Sequence, residues 1–295
     1  MSTAEVAASC LRRLEDRDFK ILYALENALG TIRQAKVEYL EKSTRLHRDE
    51  VMFRLERLQR DKMISKGESG YYLVSTGLDA IALKAFVKRG LISAFGGNVG
   101  VGKEADVFEV ADERGKPYVI KFYRLGRTSF REVKKKRQIM PAEESSTWLK
   151  ACINAAAKEM WAMRKVYTAG GAVPEAIARE RHAILMQKVD GILLSKVTVL
   201  DNPKSALKSI LDTMKLAYVK AGVVNGDLSE YNILQDRDKF YVIDWPQATL
   251  ASNPDSVRLL IRDLRNVLRF FNRRFGVYYT FEKAYDYVTR LDSEF

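Results

Sequence analysis

Asp227 and Asn232 stand five residues apart in NGDLSEYNIL, and Asp244 follows Asn232 by twelve, at the end of the apolar run FYVID. A carboxylate, an amide and a second carboxylate in that order can divide one task. The first orients an attacking hydroxyl. The amide oxygen and the second carboxylate share hard divalent cations that draw charge from a phosphate. Singly, Asp227 would cap a turn and Asp244 would end a strand as well as any aspartate. Taken with Lys121 and the glycine-rich loop upstream, in that chain order, the pattern D-x-x-x-x-N followed by D points to phosphoryl transfer.

Upstream, GGNVGVGKEADVFEV (residues 96–110) admits three phosphate-loop readings. Residues 97–103 fit G-x-x-x-x-G-K, but Glu104 stands where a magnesium-binding Ser or Thr belongs. A dinucleotide fingerprint must open a helix, whereas ADVFEV alternates like a strand. The third reading is a glycine-rich hairpin, with Gly100, Val101, Gly102, Lys103, Glu104 and Val107 around the phosphates and Ala105 at the third small position. Lys121 follows Val107 by fourteen residues inside the apolar strand YVIKFY, which has little other reason to hold an ammonium. Such a lysine neutralises α- and β-phosphate charge and needs a carboxylate to hold it. Glu159, in AAAKEMWAMRKVY with Met160, Met163 and Val166 as its apolar stripe, fits best. Glu143, Glu144 and Glu175 fall in or near expected loops.

These residues require a sheet-rich segment followed by a helical one. β-Branched runs (VFEV, YVIKFY, AILMQKV) fill the stretch after Ile92, and long helical patterns follow after residue 145. Residues 92–190 therefore read as an N-lobe and 191–295 as a C-lobe. Before them, residues 1–75 read as three helices (FKILYALENAL with Phe19, Leu22, Tyr23 and Leu25 inward; 32–40; 48–60 with Val51, Met52, Leu55 and Leu58 inward) and a hairpin over 64–74. That is a winged helix-turn-helix, with 48–60 as recognition helix bearing Arg48, Arg54, Arg57 and Arg60. Residues 76–91 form a linker helix capped by Ser75 or Thr76. The fold class is α+β: a bilobal protein-kinase-like fold preceded by a winged helix.

Composition bounds the setting. The 295 residues, 47% of them apolar, suit two ordinary domains. No run of eighteen apolar residues spans a membrane, and charges interrupt MSTAEVAASCLRRLEDRDF where a signal peptide needs an apolar core. Cys10 and Cys152 are too few for a disulfide framework or thiolate zinc, which points to a reduced, cytoplasmic setting. The net charge of +12 favours polyanionic partners. Residues 121–137 hold eight basic side chains against Glu132, whereas residues 1–92 hold 17 basic against 13 acidic ones. Arg258, Arg262, Arg265, Arg269 and Arg273 recur at helical spacing, opposite Leu259, Leu260, Leu264, Val267 and Phe271. Such a face is solvated, paired with acids, or set against RNA phosphates.

The ordered set GVGKEADVF, IKFYRLGRTSFR, KEMWAMRKVY, MQKVDG, NGDLSEYNI and IDWPQ resembles the RIO family of atypical protein kinases over nearly the whole chain. LGRTSFR, IDWPQ and STGLDAIAL resemble the second RIO subfamily, which carries an N-terminal winged helix. The resemblance implies an ATP-binding, Ser-directed kinase and ATPase that matures the small ribosomal subunit. It implies Mg2+ (or Mn2+) as metal and pre-ribosomal rRNA as partner, with duplex DNA second. It makes Asp227, Lys121 and Asp244 the catalytic residues, with Asp244 as the site of a transient aspartyl-phosphate. Asn232 and Asp244 would hold metal, Met186 would be the gatekeeper, and Gln187 C=O and Val189 N–H would face adenine. Residues 127–147 resemble the mobile loop near the γ-phosphate. Three residues depart from the family: Asn225 for a largely structural His, Ala105 for a phosphate-touching Ser, and Gln187 for a hinge Glu. With 51 residues after Asp244 and no A-P-E triplet, the usual peptide-docking platform is not expected. Two other readings stand beside this one: a conventional Ser/Thr kinase acting on many soluble proteins, and a winged-helix DNA-binding regulator with a vestigial kinase lobe.

Overall fold

The computed structural model of the chain describes residues 1–101, 104–126 and 142–295, without the side chains of Val101, Ala142 and Glu143. Gly102, Lys103 and residues 127–141 of the expected loop lie outside them; residues 142–147 are helical rather than loop. The chain divides into two compact units: residues 1–156 with 178–185, and residues 157–177 with 186–295.

The first unit opens with α1 (Thr3–Cys10), a helix that the sequence reading lacked; Ser2 and Glu5 close a capping box at its start. α2 (Asp16–Asn27), α3 (Val37–Thr44), α4 (Arg48–Arg60) and the hairpin β1 (Ile64–Lys66) and β2 (Tyr71–Leu73) make the winged helix. Its core is Phe19, Ile21, Leu22, Leu25, Leu40, Val51, Leu55 and Leu58, all buried; Tyr23 and Met52, expected inward, are half-buried. Residues 32–36 are not helical, against expectation. Ala35 exchanges N–H and C=O hydrogen bonds with Tyr71 at 2.8 and 2.9 Å, so this stretch is drawn out as an extra strand on the hairpin. A side chain at Gly70 would meet the Ala35 carbonyl at 2.4 Å, which is why that turn needs glycine.

The arginines of α4 are largely engaged within this domain. Arg54, buried, pairs with Glu15 at 2.9 Å, Glu50 at 2.8 Å and the fully buried Asp18 at 3.4 Å. Arg57 pairs with Glu15, and Arg48 with Glu38 and Glu41. Hydrogen bonds from Arg54 and Arg57 hold the Glu15 carboxyl down at about 2. Counting basic residues on this helix therefore overstates what it offers to a nucleic acid.

α5 (Ser75–Lys88) starts from Val74, and neither Ser75 nor Thr76 caps it with its side chain. Its residues Thr76 to Leu83 are all buried. Its Asp79, inaccessible to solvent, receives Arg124 Nη2 at 2.7 and 2.9 Å and lies 2.7 Å from His182 Nε2. Arg124 also donates to Thr3 Oγ1 of α1 at 2.9 Å and approaches Asp106 at 3.3 Å. These groups fasten α1 and α5 to a five-stranded sheet, ordered β3 (Ala94–Val101), β4 (Ala105–Ala111), β5 (Pro117–Tyr123), β7 (Ala183–Gln187), β6 (Ala176–Glu180). Phe108, Ile120 and Phe122 form its buried face. The start of α6 (Ala142–Thr168) joins this unit through Ser145 to the Leu73 carbonyl at 3.3 Å and Trp148 to the Leu125 carbonyl. Cys10 and Cys152 are both free and buried.

The second unit contains the rest of α6, α7 (Pro203–Lys215) running into a π-helical turn at Leu216–Lys220, α8 (Ser256–Phe275) and α9 (Phe281–Thr289). Short strands join them: β8 (Ile192–Leu193), β10 (Ile233–Asp236) and β11 (Lys239–Val242) in one sheet, and β9 (Val223–Val224) with β12 (Thr249–Leu250) in another. Leu260, Leu264, Val267 and Phe271 turn inward from α8, as the arginine spacing predicts. Among the described residues no helix is long and apolar enough to cross a membrane.

The Asp79 cluster generates a stability prediction. Burial opposes ionisation of Asp79, yet Arg124 and His182 outweigh it and hold the carboxyl below its usual value. Burial also holds His182 below its usual value, so it stays neutral at pH 7. Both depressed values mean that stability present near neutrality is lost on acidification, first as pH falls below the unfolded His value and further as Asp79 takes up a proton. Asp79→Ala strands the buried Arg124 charge and should lower the unfolding free energy by about 3–5 kcal/mol in urea denaturation at pH 7. An unchanged midpoint would remove the cluster from the forces holding α5 to the sheet.

Candidate functional site

The predicted site residues fall into one set in each unit. In the first unit, Gly100 pairs with Val107 across β3 and β4, and Val107 pairs with Lys121 across β4 and β5. Directly paired residues share a sheet face, so the three line one row. Two irregularities, between Phe95 and Asn98 and between Asn98 and Gly100, bend β3 ahead of the turn, as bulges do. Glu104, exposed at the far side of that turn, gives its carbonyl to the Arg124 N–H at 2.6 Å, tying the loop to the residue after β5. Lys121 is 9% exposed, with Nζ 5.0 Å from the Tyr123 ring. A hairpin backbone beside a nearly buried ammonium suits an anionic ligand.

In the second unit, Glu159 is 1% exposed and rides on the face of α6 that buries Met160, Met163 and Val166. Glu143 and Glu144 begin that same helix instead of lying in a loop. Met186 is buried at the end of β7. Gln187 donates its N–H to the Glu175 carbonyl at 2.9 Å, while its side-chain oxygen accepts the Glu175 N–H at 3.3 Å. The half-buried Val189 sits between Lys188 and Asp190, which pair at 3.0 Å.

The second unit brings Asp227, Asn232 and Asp244 together, and the residue that joins them is Asn225. Its amide donates to the Asp244 carbonyl at 3.0 Å and accepts the Asp227 N–H at 3.0 Å. At 5% exposure, Asn225 thus joins the two loops from within the protein interior. Asp244 has φ +69°, a left-handed conformation that costs a non-glycine residue about 1–3 kcal/mol and that the Asn225 bond helps to maintain. Asn232 donates its NH2 to the Asp227 carbonyl at 2.8 Å, which orients the amide and leaves its oxygen as the group able to meet a cation. An amide oxygen beside a carboxylate fits a hard divalent ion that completes its shell with phosphate oxygens and water. The Asp227 carboxyl is pushed up, first by partial desolvation and then by the charge of Asp244, with Arg262 opposing. A carboxylate so raised is a better proton acceptor than a fully solvated one.

Three residues of α8 hold the loop that carries Asp227: Asp263 and Asn266, which the sequence reading left unassigned, and Arg262, which it placed on the arginine face. Asp263 accepts the N–H groups of Gly226 at 2.8 Å and Leu228 at 3.1 Å. Arg262 donates to the Gly226 carbonyl, and Asn266 to the Leu228 carbonyl at 3.1 Å. Both peptide neighbours of Asp227 are thereby clamped. A signal was present: Asp263 interrupts the apolar stripe of Leu260, Leu264 and Val267, where a lone acid must have buried donors.

Burial raises the Asp263 carboxyl to about 6, with the two N–H bonds and Arg262 limiting the rise. A raised value means that this group favours the folded state below its unfolded value and loses that contribution as pH rises through about 6. Loop geometry changes in the opposite sense, because only the carboxylate accepts both N–H groups well. Asp263→Asn should flatten the stability slope between about pH 4 and 6 and lower turnover by about 10–100-fold, the effect of a slightly displaced catalytic group. Thermal unfolding against pH, with turnover measured on the same samples, checks both effects. Wild-type turnover in the variant would discard the clamp.

A family profile described as the RIO domain matches residues 106–284, and one described as Rio2, N-terminal, matches residues 11–89. The RIO-type serine/threonine-protein kinase Rio2 of Methanocaldococcus jannaschii is 33% identical over 264 residues, 86% of this chain and 97% of that protein. The serine/threonine-protein kinase rio2 of Schizosaccharomyces pombe is 32% identical over 270 residues, 90% of this chain and 78% of the relative. The crystal structure of the Rio2 kinase-ADP/Mg2+-phosphoaspartate complex from Chaetomium thermophilum matches with a TM-score of 0.83 and 31% identity, covering 97% of this chain and 90% of that one. The chain therefore belongs to the RIO family of serine/threonine-protein kinases, in the branch whose RIO domain follows a Rio2 N-terminal winged helix.

Proposed function

We propose that this chain binds ATP with Mg2+ and transfers or hydrolyses the γ-phosphate, acting as a Ser-directed kinase and ATPase in assembly of the small ribosomal subunit. The observation that carries the catalytic reading is the Asn225 bridge, which ties the Asp227 backbone to that of Asp244 while Asn232 is oriented on the same loop. Lys121 and the glycine-rich turn neutralise and cradle the phosphates, and Glu159 is the carboxylate assigned to Lys121. Mg2+, when bound, would supply positive charge that neutralises the phosphates. Asn232 and Asp244 are the residues to hold it. Asp227 accepts a hydrogen bond from the O–H of the attacking hydroxyl or water and orients it.

The Chaetomium relative was captured with ADP, Mg2+ and a phosphoaspartate. For this chain that supports Asp244 as the residue that takes the phosphoryl group. The net charge of +12 and the basic run at residues 121–137 support a polyanionic partner, which we take to be precursor rRNA in a cytoplasmic setting.

Asp227→Ala should lower ATP turnover by about 10²–10⁴-fold while nucleotide binding, followed by calorimetry, persists. Turnover at the wild-type rate would refute the role given to Asp227. The assembly role is tested separately by purifying the tagged chain from cells and sequencing the RNA that comes with it. Enrichment of precursor small-subunit rRNA is expected; recovery of bulk RNA alone would refute that partner.

A further inference from the structure

The outer face of α8 has a feature that ATP turnover does not need. The helix carries six arginines, no lysine, and a single acid, the buried Asp263. Arg258, Arg262, Arg265 and Arg269 line a groove of about 730 Å³ together with Val257 and Ile261. Arg258 is 75% exposed, with Asp255 3.8 Å away, and Arg265 lies 5.2 Å above the Phe281 ring. Arg265 and Arg269 are exposed. The groove adjoins the loop that carries Asp227, since Arg262 and Asn266, both lining it, donate to the carbonyls on either side of Asp227. Arg258 and Arg269, the outermost of the four, stand 11 positions apart along the helix, about 16 Å at about 1.5 Å per residue, or roughly five residues of extended chain.

We infer that this groove docks an acidic or already phosphorylated polypeptide segment and so directs the kinase to Ser residues with acidic neighbours. The inference rests on the kinase reading above and names its substrate class. Guanidinium groups meet carboxylates and phosphomonoesters with paired hydrogen bonds, which makes arginine the cation of choice here. Val257 and Ile261 give such a segment an apolar footing between its charges. A nucleic acid fits less well, because none of the residues lining the groove is aromatic and unpaired bases bind by stacking on aromatic rings. The position beside Asp227 also places a docked segment next to the group that orients its hydroxyl.

The test uses the full chain and three fluorescent probes: a Ser peptide flanked by Glu and phosphoserine, the same peptide flanked by Gln, and a single-stranded oligoribonucleotide. Anisotropy should show the acidic peptide binding about tenfold or more tightly than the neutral one. Arg258→Glu with Arg269→Glu should abolish that preference, and Arg258→Gln with Arg269→Gln should reduce it. Peptide-free ATP turnover should stay unchanged in both variants. Equal binding of the two peptides, or acidic-peptide binding that ignores both substitutions, would overturn the inference. So would an oligoribonucleotide that outcompetes the peptide and alone responds to the substitutions. Binding needs no turnover, so a wild-type protein that binds acidic peptide but cannot turn over ATP would refute only the kinase reading. One that turns over ATP without acid preference would refute only the groove.

Discussion

The Asp263 carboxylate, buried beneath the loop that carries Asp227, accepts the N–H groups on both sides of that residue, and the conformation of the loop depends on this clamp. A loop that carries a catalytic carboxylate must leave the carboxylate reachable yet prevent its backbone from wandering. Here the side chain of Asp227 is exposed while its neighbours Gly226 and Leu228 are buried and hydrogen-bonded to one helix. Gly226 has φ +79°, and a side chain there would meet the Gln247 carbonyl at 3.1 Å, so glycine is required for the loop to close on its support. Positioning follows from a buried acid on a rigid helix.

A second buried acid performs a comparable task in the first unit. Asp79 gathers Arg124 and His182, while Arg124 reaches Thr3 and Asp106, so two helices and three parts of the sheet meet at one charged centre. Arg124 is three residues beyond Lys121 and its N–H holds Glu104 beside the glycine-rich turn. The winged helix and the strands that carry Gly100, Val107 and Lys121 thus share one compact unit. Any displacement of α5 must either move Arg124 or expose an unpaired charge, which is costly in a low-dielectric interior.

Charge must be read by location. On α4, Arg48, Arg54 and Arg57 are paired with acids of their own domain. On α8, the arginines stand out from an apolar stripe and line an open groove. The two helices look alike as strings of basic residues. They differ because α4 lies against the acid-rich start of α2, whereas the one acid within α8 points inward to the catalytic loop.

Residue order by itself determined the winged-helix hairpin, the antiparallel pairing of the strands that flank the glycine-rich stretch, the strand bearing Lys121, the helix bearing Glu159 and the grouping of Asp227, Asn232 and Asp244. Each is a local pattern of two- or 3.6-residue period, or a short fixed spacing, that the chain can satisfy without distant partners. Tertiary structure alone decided that residues 32–36 form strand-like pairing with Tyr71, that Ser75 does not cap α5, that Asn225 bridges two loops, and that Asp263 and Asp79 are anchors. Those outcomes depend on groups up to 103 positions apart, as between Asp79 and His182. A buried polar group takes whichever partner the packing delivers, and sequence spacing carries no record of that choice.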